Sequence, residues 1–218
     1  MLPHSGNPVV HAGASLDDAS TVMILVHGRN AAPRNILDLF VQLDRPGVAA
    51  LAPAAAGGTW YPYSFLAPRE QNEPGISSGL FVLETLVLDL LERGFSAQNL
   101  VLLGFSQGAC LSAEFAFRQP RLYGGVVVLS GGLIGPPGTT WTDAAVGSLD
   151  QVPIFLGCSD VDAHIPKERV LDSEMVFSRM GARVTRRLYP GMAHTVNDDE
   201  IAFVRSIIDE VSSVPRGI

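Results

Sequence analysis

Four short stretches of this chain combine residue types that can do chemistry. The first is Gly104-Phe105-Ser106-Gln107-Gly108. A G-x-S-x-G between an apolar run and a helical one describes a strand–turn–helix bend. The bend is so tight that the residues two before and two after the serine crowd each other, and glycine at both relieves the clash while the hydroxyl is lifted above the sheet. The same serine would also make an ordinary helix N-cap. A serine hydroxyl is a weak nucleophile near neutral pH and needs a base, itself oriented by a carboxylate. In an elbow of this kind the acid and then the histidine follow the serine along the chain.

His194 closes the second stretch, Pro190-Gly191-Met192-Ala193-His194, a glycine-containing loop after a late apolar run, and is the expected base. His164 lies too close to the candidate acids to be oriented by them, and His4 and His11 precede the core. The acid falls in the third stretch, Gly157-Cys158-Ser159-Asp160-Val161-Asp162. Counting from Gly157 favours Asp160, and counting back from Pro166 favours Asp162; the other aspartate is expected to cap the turn. The fourth stretch, His27-Gly28-Arg29-Asn30, follows an early strand. An oxyanion hole needs two backbone donors, for which the amides of Arg29 and Gln107 are the candidates, with His27 holding the loop by packing and hydrogen bonding. The Arg29 side chain either draws in an acidic substrate or, more commonly, pairs with a nearby carboxylate. Lys167 is the only lysine among 15 basic residues, so any lysine-based mechanism would rest on it alone.

The elements that must position these residues alternate. Strands are expected over 21–27, 48–53, 100–105, 124–130, 153–157 and 183–189, and helices over 35–43, 77–93, 107–119, 166–180 and 198–211, with Ser77 or Ser78 capping the second helix and Gly94 ending it. The strands are near-continuous apolar runs, the mark of parallel strands covered on both faces. The pattern implies one α/β domain over 1–218, a mostly parallel doubly wound sheet with helices on both faces, residues 1–20 as a lead-in and no lid domain. Right-handed crossovers then bring all four stretches to the C-terminal edge of the sheet.

Composition narrows the function. The chain has 218 residues, 47% of them hydrophobic and 17% charged, which is globular rather than disordered. A net charge of −7 argues against a nucleic-acid partner. No apolar run reaches the ~18–20 residues of a membrane helix, and the first residues show neither a basic nor an apolar leader region, so neither membrane insertion nor a signal peptide is expected. Cys110 and Cys158 are too few for a disulfide framework, which points to a reducing cytoplasm. The five histidines show no metal-ligand spacing, and no cofactor is implied.

H-G-R at 27–29, G-F-S-Q-G at 104–108, D-x-D-x-x-I-P at 160–166 and G-M-A-H at 191–194 together resemble the phospholipase/carboxylesterase family of α/β-hydrolases, which takes in the acyl-protein thioesterases and small bacterial carboxylesterases. The resemblance runs over nearly the whole chain. It implies Ser106, Asp162 and His194 as a triad, with Asp162 preferred as the second aspartate of its motif, and Arg29 and Gln107 as oxyanion amides. The chain departs from the family in reading His27-Gly28-Arg29-Asn30-Ala31 where H-G-L-G-D is usual, and in carrying Ala163 after the acid, where proline is common. A third departure is the aromatic segment Thr59-Trp60-Tyr61-Pro62-Tyr63-Ser64-Phe65-Leu66, whose Trp60, Tyr61, Tyr63 and Phe65 either wall an acyl or aryl pocket or cover the core.

The expected function is a serine carboxylesterase acting on small, short-chain or aryl esters through an acyl-enzyme. The alternatives are a thioesterase, a hydrolase of aromatic-degradation products, or a non-catalytic ligand-binding protein of the same fold, the last disfavoured because no triad member is missing. The partner expected is a small-molecule ester; the oligomeric state, a homodimer included, is left open.

Overall fold

The computed structural model describes residues 2–142 and 148–215. Seven strands form one sheet: β1 (Val9–Gly13), β2 (Thr21–Val26), β3 (Val48–Pro53), β4 (Leu100–Phe105), β5 (Gly125–Leu129), β6 (Pro153–Ser159) and β7 (Arg183–Tyr189). Their spatial order is β1-β3-β2-β4-β5-β6-β7. All pairs are parallel except β1 with β3.

The residues 1–20 expected as a lead-in thus contain an edge strand. Its sequence, VVHAG, is half exposed and without an apolar run, so neither period nor burial marked it. Antiparallel pairing of Val9 with Pro53 through Gly13 with Ala49 supplies the backbone bonds that make it a strand.

The helices α1 (Pro33–Leu43) and α5 (Asp198–Ser212) cover one face; α2 (Gly75–Glu92), α3 (Gln107–Arg118) and α4 (Lys167–Arg179) cover the other. Central strands therefore bury both sides. Along β4, Val101 and Leu103 join the cluster under α1 and α5, while Leu100 and Leu102 join the cluster under α2, α3 and α4. Each such side chain contributes roughly 1.5–3 kcal/mol on burial. The helix α2 starts at Gly75, earlier than a cap at Ser77 or Ser78 would allow. Glu73 accepts from Ser77 N at 3.0 Å, and Ser78 is turned inward, its hydroxyl accepting from His4 N at 2.8 Å. Gly94, at φ +85°, ends the helix as expected.

From β2 the chain moves outward to β3 and then returns to β4 on the other side. The order of strands reverses between β2 and β4, and the crevice at such a reversal is where ligands enter an α/β sheet. Ser106 follows β4 and the His27–Asn30 loop follows β2, so both flank that crevice.

Candidate active site

Ser106 occupies the N-cap position of α3 with φ +55° and ψ −119°, a strained conformation for a residue with a side chain. The neighbouring glycines show what holds it there. A Cβ on Gly104 would lie 2.3 Å from the Gly108 carbonyl oxygen, and one on Gly108 would lie 2.1 Å from that of Val26. Only hydrogen fits at either place. Ser106 does not cap its helix with its side chain. Its Oγ instead lies 2.9 Å from His194 Nε2.

His194 Nδ1 in turn lies 2.7 Å from Asp162 Oδ2. The other oxygen, Oδ1, accepts from the backbone N–H of His164 at 2.8 Å and of Ile165 at 3.1 Å. Burial alone would raise the Asp162 pKa, but the bonds from His194 and from these two amides outweigh it and the net shift is downward. The carboxyl is therefore ionised and fixes the histidine tautomer, with the proton on Nδ1 and a lone pair on Nε2 facing Ser106. The Cys158 thiol, pushed up to about 12 by burial, stays protonated 3.9 Å from Asp162 Oδ2. Asp160 sits apart from this line. Its Oδ1 accepts from Gly191 N at 2.8 Å and so ties down the loop that carries His194.

On the other side of Ser106 the His27–Asn30 loop is oriented by His27. Ala55 N donates to His27 Nε2 at 3.1 Å, which leaves Nδ1 to donate to the Gly28 carbonyl at 2.8 Å. Burial lowers the His27 pKa and keeps the ring neutral. Because the Gly28–Arg29 peptide is trans, turning its carbonyl onto the imidazole aims the Arg29 N–H the opposite way. A Cβ on Gly28 would lie 3.5 Å from Ser106 Cβ, so this loop is in contact with the serine. Among the described residues neither Arg29 N nor Gln107 N donates to a protein acceptor, and the Gln107 N–H opens α3, where the helix dipole favours negative charge.

A cleft of about 860 Å³ opens over Ser106. Of the four aromatic residues expected to bind substrate, Tyr61, Tyr63 and Phe65 line it. Trp60 does not; it is fully buried, donates its indole N–H to the His27 carbonyl at 2.9 Å and lies 5.2 Å, centroid to centroid, from the His27 ring. It supports the His27–Asn30 loop from beneath. Among the described residues the Arg29 side chain pairs with no carboxylate, contrary to the commoner expectation. It donates to the carbonyls of Pro62 and Tyr63 and lies over the Tyr61 ring.

Two contributions were not visible in the sequence. The Gln107 side chain accepts from Trp60 N at 2.9 Å and donates to the Tyr61 carbonyl at 2.7 Å, bolting the aromatic wall to the residue after Ser106. His4, which precedes every element, is buried and reaches Trp60 O with Nε2 at 2.8 Å while Nδ1 accepts from Ala56 N at 3.0 Å. A glutamine in the elbow and a histidine near the start of the chain carry no pattern that would announce either bond.

The family model for phospholipase/carboxylesterase matches residues 9–212. The chain belongs to that family. A solved phospholipase/carboxylesterase from Dyadobacter fermentans is 35% identical, with a TM-score of 0.88, covering 95% of this chain and 98% of that one. Among curated relatives, acyl-protein thioesterase 1 of Debaryomyces hansenii is 25% identical over 94% of this chain and 97% of its own length. The match to its namesake in Eremothecium gossypii, 26% identical, spans 70% of this chain and 66% of that protein. A Bacillus cereus carboxylesterase, 18% identical with a TM-score of 0.74, shares the fold. Membership of this family makes the chain an ester hydrolase of the serine type.

Proposed function

We propose that this family member hydrolyses small carboxylic esters through an acyl-enzyme on Ser106. The observation that carries the reading is the continuous line Ser106 Oγ–His194 Nε2–His194 Nδ1–Asp162 Oδ2, with 2.9 and 2.7 Å at its two hydrogen bonds. Ser106 Oγ attacks the ester carbonyl as His194 Nε2 takes its proton, and Asp162 stabilises the imidazolium without itself being protonated. The oxyanion collects the N–H groups of Arg29 and Gln107. His194 then protonates the departing alkoxide, and water repeats the sequence on the acyl-enzyme. A thioester would use the same atoms.

Tyr61, Phe65 and Ile165 line the cleft beside Ser106, and acyl groups of roughly two to six carbons are the expected substrates. Among the described residues no helix is long and apolar enough to cross a membrane, and Cys110 and Cys158 are buried free thiols, which suits a reducing compartment. Labelling by a fluorophosphonate probe and turnover of p-nitrophenyl butyrate test the reading. Ser106→Ala is expected to abolish labelling and lower kcat by ~10⁴–10⁶ while the circular dichroism spectrum is kept. Retention of more than a tenth of the wild-type rate would overturn it.

A further inference from the structure

The cleft has two limbs, one on each face of the sheet. Tyr61, Phe65, Cys110 and Ile165 belong to the cluster under α2, α3 and α4. Ile36, Leu39, Phe105 and Val196 belong to the cluster under α1 and α5. Ser106 stands at the crest between them. In the second limb Asn35, Asp38, Leu39 and Gln42 follow the i, i+3, i+4, i+7 spacing of one face of α1, so this limb runs along the helix for about 10 Å. Its floor is apolar and its rim is polar.

His194 decides which limb takes which half of an ester. The proton on Nε2 must pass to the leaving oxygen as the carbonyl–oxygen bond breaks, so the alcohol has to lie on the histidine's side. The His194 ring packs against Phe105 at 5.0 Å and against His164 at 4.9 Å between centroids, but the chain leaving it, Thr195 and Val196, lines the α1 limb. The limb along α1 therefore faces the leaving group and the opposite limb the acyl group.

The two limbs also differ in charge. Besides histidines, the described residues lining the cleft include one cation and one anion, Arg29 and Asp38. Arg29 is held at the acyl side by the carbonyls of Pro62 and Tyr63. Asp38 is exposed on the α1 rim and makes no ion pair among the described residues. Gln42, one turn on, donates to the backbone carbonyl of Asp38 and not to its carboxylate.

We propose that the α1 limb is a leaving-group site for alcohols with an apolar stem ending in a cation, which Asp38 receives. The proposal rests on the ester-hydrolase reading above. On release, His194 supplies the alcohol's proton and the acyl group stays on Ser106, so the selectivity falls on acylation and not on the common deacylation step.

The test is a series of butyrate esters with trimethylammonio-ethyl, -butyl and -hexyl alcohols, each compared with its neutral tert-butyl-terminated isostere. Acyl group and stem are then constant and only the charge differs. For at least one stem length kcat/KM should favour the cation by about two- to five-fold, the range of a solvent-exposed ion pair, and the preference should shrink in 0.5 M salt. In Asp38→Asn the ratio should fall to about one, and in Glu92→Gln, a control on α2 across the sheet, it should persist. A ratio near one at every length in the wild type, or a preference that survives Asp38→Asn, overturns the proposal and leaves the esterase reading standing. Absence of any turnover of p-nitrophenyl butyrate removes that reading and this one together.

Discussion

The loop after β3 and the loop after β7 both emerge at the C-terminal edge of the sheet, both contain glycine, and both reach Ser106. They are secured in opposite ways. The aromatic loop after β3 is held from four directions: by the buried His4 on Trp60 O, Gln107 on Trp60 N and Tyr61 O, and Asn72 on Tyr63 N and Ser64 O, and by the exposed Arg29 on Pro62 and Tyr63. The loop after β7 is more exposed and is tied by Asp160 to Gly191, by Asp162 to His194, and by Asn197 Nδ2 to Met192 Sδ. The first loop shapes a wall and must not move. In the proposed mechanism the second carries the base, which has to address first the serine proton and then the leaving oxygen, and its contacts fix the ring while leaving the loop largely in solvent.

The comparison can be broken most sharply at the acid. Asp162→Asn would keep the loop bonds to His164 and Ile165 yet stabilise the wrong histidine tautomer, and kcat should fall by ~10⁴, with partial recovery at high pH. The aromatic wall should be undisturbed, which unchanged tryptophan fluorescence from buried Trp60 would report. A loss of less than a hundredfold would shift the role toward Asp160.

The anchor at the end of the second loop offers a pH test. Glu200 is fully buried at the third position of α5, where it accepts from Asn197 N at 2.9 Å, and its other oxygen has no partner among the described residues. Burial raises its pKa to about 7, against an opposing contribution from the Asn197 amide. Between pH 4.5, its ordinary value, and about 7 the unfolded chain releases this proton while the folded one keeps it, so this group's contribution to stability falls as pH rises across that window and is level above it. Glu200→Gln should raise stability at pH 8 by up to ~3 kcal/mol and have no such effect below pH 4.5. A Tm difference independent of pH would contradict the buried-acid account.

A smaller effect is expected where the wall meets the nucleophile. Gln107→Leu removes two bonds and leaves Trp60 N and Tyr61 O buried and unpaired, costing about 1–3 kcal/mol in chemical denaturation. KM should rise more than kcat falls, because the backbone N–H at position 107 remains. The mildest change is Asp160→Asn, expected to lower stability by ~1 kcal/mol with a rate loss of less than tenfold, read from Tm and kcat/KM together. If Asp160→Asn disabled the enzyme as fully as Asp162→Asn, the loop after β7 would be as rigid a device as the wall.

Local sequence determined the elbow, because Gly104, Ser106 and Gly108 answer a steric demand set within five residues. It also determined the parallel sheet, since strands buried on both faces must be apolar at successive positions. The strand β1 was beyond it because an edge strand is made by its partner's backbone rather than by its own side chains. The choice between Asp160 and Asp162, two residues apart with opposite counts in their favour, was made only by folding, which turned one carboxylate onto His194 and the other onto Gly191. The fates of Trp60, beneath the site, and of Arg29, on backbone carbonyls rather than a carboxylate, were likewise tertiary outcomes. Each depended on groups 33 or more positions away, and no local propensity records such a distance.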